Sequence, residues 1–227
     1  MPSRIIEAAE CPPTFGTPPA LVQAVMAGGR GSVFRSKEGA EDDAAAGKTA
    51  AGAKVRRGDA VVGIAASGVT PFVLAALEES RRRGAATILV TSNSRPALRA
   101  VDVTISPHVG PEALAGSTRM KSGTAAKMVL NMLTTASMMR LGKVYRNWMV
   151  DLKPSSKKLR LRAIRLVSRL GGVAPATAQR LLVHAGGRPK TAIVMARRGV
   201  GRREAESLLS ASEGFLRPVL RTDPSRR

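Results

Sequence analysis

Aromatic side chains make up only 3% of this 227-residue sequence, with one Trp and one Tyr, so the core must be built mainly from Ala, Val, Leu, Ile and nine Met. Cysteine occurs once, at Cys11, which excludes an intrachain disulfide framework and fits a reducing cytoplasm. No apolar run approaches the ~20 residues that span a bilayer. Only two Ile separate Arg4 from Glu7, too few for a signal segment, so a cytoplasmic chain with no membrane contact is expected. His108 and His184 lie far apart, and no HExxH or Cys pair supplies metal-ligand spacing. A P-loop signature and a GxGxxG after a strand are also lacking, so neither a metal nor a nucleotide cofactor is predicted.

Acidic residues are scarce as well: 16 Asp and Glu stand against 37 Lys and Arg, a formal charge of +21. Such a balance raises nucleic acid as a partner. The cations are spread over amphipathic segments, though, and rings for base stacking are few, so the clusters at Lys153–Arg169 and Arg197–Arg203 read first as solvated helix faces and second as a nucleic-acid or anionic-surface contact. No specific nucleic-acid partner is expected.

What is present is organised around Val61-Val62-Gly63-Ile64-Ala65-Ala66-Ser67-Gly68-Val69-Thr70-Pro71. The uncharged run Ala60–Ala66 suits a strand covered on both faces, Gly68 a tight turn and Pro71 a first helical position. Phe72, Val73, Leu74 and Leu77 then give a helix its apolar stripe. Ser67, Thr70 and the free N–H groups of that helix start could converge on one anion, a phosphate above all. The same residues also make an ordinary β-to-α turn with an N-cap.

Along the chain, Ile5–Ala9 reads as the end of a helix broken at Pro12-Pro13, Leu21–Met26 as a short strand, and Asp43–Lys54 as an alanine-rich helix behind an acidic cluster. Further strands are expected at Ala86–Val90 and Val101–Ile105, with a helical turn at Ala97–Ala100 between them. Strands alternating with helices predict an α/β domain with a mostly parallel sheet. After the hydroxyl-rich loop Gly116–Thr124, the Met-rich helix Ala125–Leu141 is apolar on several sides and should be buried in a core or against a partner. Asp151–Ser155 breaks the pattern, dividing residues 1–150 from a helical subdomain at 151–227 whose last residues, Thr222–Arg227, should be loose.

The candidates for chemistry are carboxylates: Glu10, expected just after a helix end before a rigid Cys11-Pro12-Pro13 turn, and Glu41, at the start of the next helix. Each alone has a plain structural reading. Together on one α/β edge they would suit acid and base work.

Glu10-Cys11-Pro12-Pro13-Thr14-Phe15-Gly16, Glu38–Asp42, Gly63–Gly68, Gly116–Lys121, the helix from Lys127 to Arg140 with Gly142-Lys143-Val144, and Lys190–Met195 resemble the N-acetylmuramic acid 6-phosphate etherase family. That family belongs to the SIS (sugar isomerase) phosphosugar-binding superfamily. The resemblance implies a three-layer α/β/α SIS-type domain, a homodimer, and cleavage of the D-lactyl ether of N-acetylmuramate 6-phosphate by elimination and hydration without a cofactor. It casts Glu41 as the base at C2 of the ring-opened sugar and Glu10 as the acid on the departing lactate. Ser67, Gly68, Thr70, Ser117, Thr118, Arg119 and Lys121 then become the substrate-binding residues. Two departures stand out: the family's first strand and first phosphate loop, which precede the point where this sequence starts, are expected to be missing, and Val69 stands where the family usually has Arg. A phosphosugar-binding protein without turnover is the alternative that these departures suggest.

Overall fold

The structure, a computed structural model, describes residues 3–94 and 101–221. The helical turn expected at Ala97–Ala100 and the tail Thr222–Arg227 lie outside the described residues. Two compact units emerge, one of residues 1–8 and 23–132 and the other of residues 9–22 and 133–227.

In the first unit, α2 (Ala44–Lys54), β1 (Ala60–Ile64), α3 (Pro71–Arg82), β2 (Ala86–Val90) and β3 (Val103–Ile105) follow the first part of α1 (Ser3–Phe15), and the unit closes on the start of α4 (Lys121–Arg140). The strands form one parallel sheet in the order β1-β2-β3, with Gly63 opposite Leu89 and Leu89 opposite Thr104. This is the α/β class with a parallel sheet that the alternation predicts. Leu89, fully buried at the centre, packs with Ala65 and Leu77. Gly63 is glycine because α3 lies directly on it: a Cβ there would come within 2.6 Å of Leu77 Cδ1 and 2.8 Å of Val73 Cγ1. Thr87 pins β3 through Asp102, whose carboxylate accepts from the Thr87 amide and hydroxyl, both at 2.8 Å. Those two bonds, with Arg81 nearby, hold the Asp102 carboxyl below its usual range.

Two expectations fail in this region. Leu21–Met26 forms no strand; Leu21 and Val25 are about half exposed, so this short apolar run has neither a partner strand nor a core to face. β1 is an edge strand with Val61, Val62 and Ile64 only half-buried, not a strand covered on both faces.

In the second unit, Val144–Tyr145 and Trp148–Met149 pair as an antiparallel hairpin, β4 and β5. Five helices follow: α5 (Lys157–Gly171), α6 (Pro175–His184), α7 (Pro189–Arg198), α8 (Arg202–Ala211) and α9 (Leu216–Arg221). Their ends are written in the sequence. The Ser156 hydroxyl caps α5 by accepting from the Leu159 amide, Gly172 ends it in the left-handed conformation, and proline opens α6 and α7. α7 is the central helix, with every residue from Pro189 to Met195 buried.

Two helices differ from expectation. α1 does not break before its prolines but runs through Pro12 and Pro13 to Phe15. A proline retains helical φ and its carbonyl, and here the Pro12 carbonyl accepts from the Gly16 amide at 2.9 Å while Cys11 is buried on the helix's inner face. α4 is not buried all round. Ala126, Val129, Leu130 and Met138 face inward, whereas Met128, Met132 and Met139 are each about half exposed along one face.

Candidate functional site

The site grows from the carboxyl end of the parallel sheet, where open α/β folds bind ligands. β1 gives way to Ala65-Ala66-Ser67-Gly68-Val69-Thr70 before α3. Gly68 takes φ 76°, a left-handed turn that glycine enters without strain, and its amide bonds back to the Ala65 carbonyl at 3.0 Å. The exit of β2 braces this loop from the side: the Thr91 hydroxyl and the Ser92 amide donate to the Ala66 carbonyl, and the Asn93 amide nitrogen donates to the Ser67 carbonyl, each at 3.0 Å. Ser106, just past β3, holds Asn93 in turn at 2.9 Å. A small crevice remains, lined by Ala66, Thr91, Ser92, Pro107 and, from the first turns of α4, Ser122 and Ala126.

The start of α3 differs in one respect from the sequence reading. Its first-turn N–H groups are not free: Phe72 donates to the Glu41 carbonyl at 3.0 Å, and Val73 and Leu74 donate to the Thr70 carbonyl. Pro71 has no N–H to give. Thr70 makes no side-chain capping bond, and the Ser67 hydroxyl accepts from the Val69 amide at 3.3 Å with its own proton still to donate. Any grip on an anion here therefore rests on the Ser67 and Thr70 hydroxyls more than on the helix terminus. Val69, 62% exposed, adds no charge.

The Phe72–Glu41 bond places the turn carrying Glu41 beside this loop. Gly47 secures the same approach, because its backbone in α2 lies against the Phe72 carbonyl where any Cβ would collide. Asp43 caps α2 by accepting from the Ala46 amide at 2.8 Å, so the acidic cluster splits into a cap and an exposed carboxylate at Glu41. Ser67, Gly68, Thr70 and Glu41 are thus brought together.

Ser117, Thr118, Arg119 and Lys121 lie in the loop leading into α4 and its first residue, with Ser117 half-buried and the rest exposed. The amides at the start of α4 are taken by Glu112, a residue with no role in the sequence analysis. Glu112 accepts from the Lys121 and Ser122 amides, both at 3.0 Å, and those bonds, that of Ser122 first, hold its carboxyl below the usual range. Lys121 sends its ammonium back to the Pro111 carbonyl at 2.7 Å.

Glu10 belongs to the second unit, exposed on α1 within a helix and not after one. Its helix is anchored from below. Gly16, at φ 64°, lets the chain pass against the Asp151 carbonyl where a side chain would clash, and the Asp151 carboxylate is held by Lys190 at 2.7 Å and Lys143 at 3.3 Å.

No helix among the described residues is long and apolar enough to cross a membrane. The family model for the SIS domain matches residues 42–136, the stretch that carries the parallel sheet, the Ser67–Thr70 loop and most of α4. The chain is 57% identical over 197 residues to an N-acetylmuramic acid 6-phosphate etherase of Symbiobacterium thermophilum, a match covering 86% of this chain and 66% of that protein. It is 51% identical to the enzyme of that name from Salinibacter ruber, over 96% of this chain and 71% of the relative, and 47% identical to that from Geobacillus thermodenitrificans, over 95% and 74%. The chain therefore spans about two thirds to three quarters of the length of these curated relatives.

Proposed function

The chain belongs to the N-acetylmuramic acid 6-phosphate etherase family, and from that premise we propose that it cleaves the D-lactyl ether of N-acetylmuramic acid 6-phosphate to N-acetylglucosamine 6-phosphate and D-lactate. The observation that carries the assignment of the base is the bond from the Phe72 amide to the Glu41 carbonyl, which ties the Glu41 turn to the loop that offers Ser67 and Thr70 to a phosphate. A phosphate held at that loop sets the distance from C6 of the sugar to its reacting carbons.

In the proposed sequence, Glu41 removes the C2 proton of the ring-opened sugar, and the C3–O bond to lactate breaks with its electrons going to the ether oxygen. Glu10 protonates that oxygen, which is a poor leaving group without a proton. Water then adds at C3 of the resulting alkene while a proton returns to C2. Ser67, Gly68, Thr70, Ser117, Thr118 and Arg119 are the proposed substrate contacts. The proposed steps are proton transfers, cleavage of the C3–O bond and addition of water, and the route as proposed uses no metal or nucleotide.

We further assign the protein to the cytoplasm, in keeping with a phosphorylated substrate and a single cysteine, and infer a homodimer. The support for the dimer is the exposed row Met128, Met132 and Met139 on α4, an apolar face that a second copy would cover.

Incubation with the substrate in deuterated water tests the reaction directly. D-lactate should appear, deuterium should enter C2 of the product, and Glu41→Gln should stop both while the circular dichroism spectrum is preserved. Binding of 6-phosphosugars with no lactate from the wild-type chain would replace this reading with that of a phosphosugar-binding protein, the outcome that Val69 in the phosphate loop favours.

A further inference from the structure

The loop from Ala113 to Met120 holds Ser117 and Thr118, yet little within it fixes its shape. The backbone bond within it closes a single turn, from the Ser117 amide to the Leu114 carbonyl at 3.0 Å, and its large side chains Leu114 and Met120 are 69% and 58% exposed. Its two ends, by contrast, are tied in both directions. Glu112 Oε2 and Oε1 accept from the Lys121 and Ser122 amides, and Lys121 Nζ donates to the Pro111 carbonyl. Three bonds, two of them to a carboxylate and one from an ammonium, close the loop at its base.

We propose that Glu112 and Lys121 are positioning residues that latch this loop, so that Ser117 and Thr118 are held in place for the phosphosugar and the terminus of α4 is closed to the substrate's phosphate. The proposal rests on the etherase reading above. It follows that Lys121 acts as part of the latch and not as a phosphate ligand. A helix terminus with free N–H groups attracts an anion, and the Glu112 carboxylate already occupies this one. The substrate's phosphate is directed to the Ser67–Thr70 loop, leaving the Ser117 and Thr118 hydroxyls for the rest of the sugar.

The test compares the wild-type chain with Glu112→Gln and Lys121→Met by lactate release and by hydrogen exchange over residues 113–122. A Gln at 112 turns an N–H donor toward an amide that the carboxylate had satisfied, so the loop should exchange faster and KM should rise about tenfold, the loss of one charge-assisted bond, with the smaller part of the effect on kcat. Lys121→Met, which leaves the carboxylate bonds intact, should shift both readouts in the same direction by less. Unchanged exchange over 113–122 in Glu112→Gln overturns the latch. So does faster exchange with kcat alone reduced, because a loop that only supports the fold would not act through KM. Absence of lactate from the wild-type chain, with its exchange pattern intact and the variants opening the loop, would overturn the etherase reading and leave the latch standing.

Discussion

Lys190 Nζ lies 2.7 Å from Asp151 Oδ2 and 2.9 Å from the Gly142 carbonyl, which makes a buried ammonium the knot between α7, the β5–α5 connection and the turn after α4. Only 9% of its side chain is exposed, and the Asp151 carboxylate and the Gly142 carbonyl offset the cost of burying it. Asp151 passes the constraint on to α1 through its carbonyl, which Gly16 approaches too closely for any other residue. The Lys190 bonds therefore reach the helix of the candidate acid Glu10.

Lys190→Met should cost about 1–3 kcal/mol, the penalty of leaving a carbonyl and a carboxylate short of a donor, lessened because Lys143 remains beside Asp151. Chemical denaturation measures it. Lys158→Met, on the exposed face of α5, should stay within about 0.5 kcal/mol of wild type.

Glu79 gives the clearest pH dependence. Its carboxylate is almost wholly shielded, at 4% exposure, and bonds to Arg82 and Arg83 at 2.7 to 2.8 Å. The hydrogen bonds from Arg82, and then that from Arg83, lower its pKa from 4.5 to about 2. A carboxyl lowered on folding adds stability above its unfolded value that is lost as pH falls through the folded one. The stability difference between wild type and Glu79→Gln should be constant above pH 5 and shrink between 4.5 and about 2. A difference that is flat through that window would show that the two arginines do not hold Glu79 in solution.

Much of the first unit could be read from sequence because its signals are local. The apolar run before Ser67, the glycine at 68 and the proline at 71 fix strand, turn and helix within a dozen residues, and the structure follows them. What escaped depends on partners distant in sequence. Nothing near Glu112 announces that it will cap a helix starting at Lys121, and Leu21–Met26 has the composition of a strand but no neighbour to pair with. Pro12 and Pro13 signal a break that the burial of Cys11 and the bond from Gly16 override. For Glu10 and Glu41, the residues alone suggested only two carboxylates, and their separate roles came from the family resemblance.

Gly47→Ala should reduce activity without touching a reacting atom. Its Cβ would strike the Phe72 carbonyl, so α2 must move off the start of α3 and carry the Glu41 turn with it. Overpacking of this kind costs about 1–3 kcal/mol. The expected result is a drop in kcat larger than that of Gly52→Ala, where the nearest group is the flexible end of Arg83 at 3.3 Å. Equal kcat values for the two variants would mean that the α2–α3 contact does not position Glu41.

The row of Met128, Met132 and Met139 makes the dimer testable. A single charge in an apolar interface leaves an unpaired ion buried, whereas on a solvated face it costs almost nothing. Met132→Lys should therefore turn a dimer into a monomer at micromolar concentration by sedimentation, with the α-helical signal kept. A wild-type chain that sediments as a monomer would remove the homodimer from the proposal.

Val69 offers a gain-of-function test of the phosphate loop. It sits between Gly68 and Thr70, 62% exposed, where the resemblance leads one to expect Arg. A guanidinium there could form a charge-assisted bond to a phosphate oxygen, worth about 1.5–3 kcal/mol when well ordered and less at so open a position. Val69→Arg should lower KM for N-acetylmuramic acid 6-phosphate by about tenfold, or 1.4 kcal/mol, and tighten binding of N-acetylglucosamine 6-phosphate to match. Its kcat should change little, because a bond made equally in ground and transition states leaves kcat alone. The gain should vanish in the presence of competing inorganic phosphate and should be absent for sugars lacking the 6-phosphate. If Val69→Arg improves neither KM nor product binding while Ser67→Ala weakens both, the phosphate lies beside Ser67 but beyond reach of position 69. If neither substitution changes binding, the phosphate is not held by this loop at all.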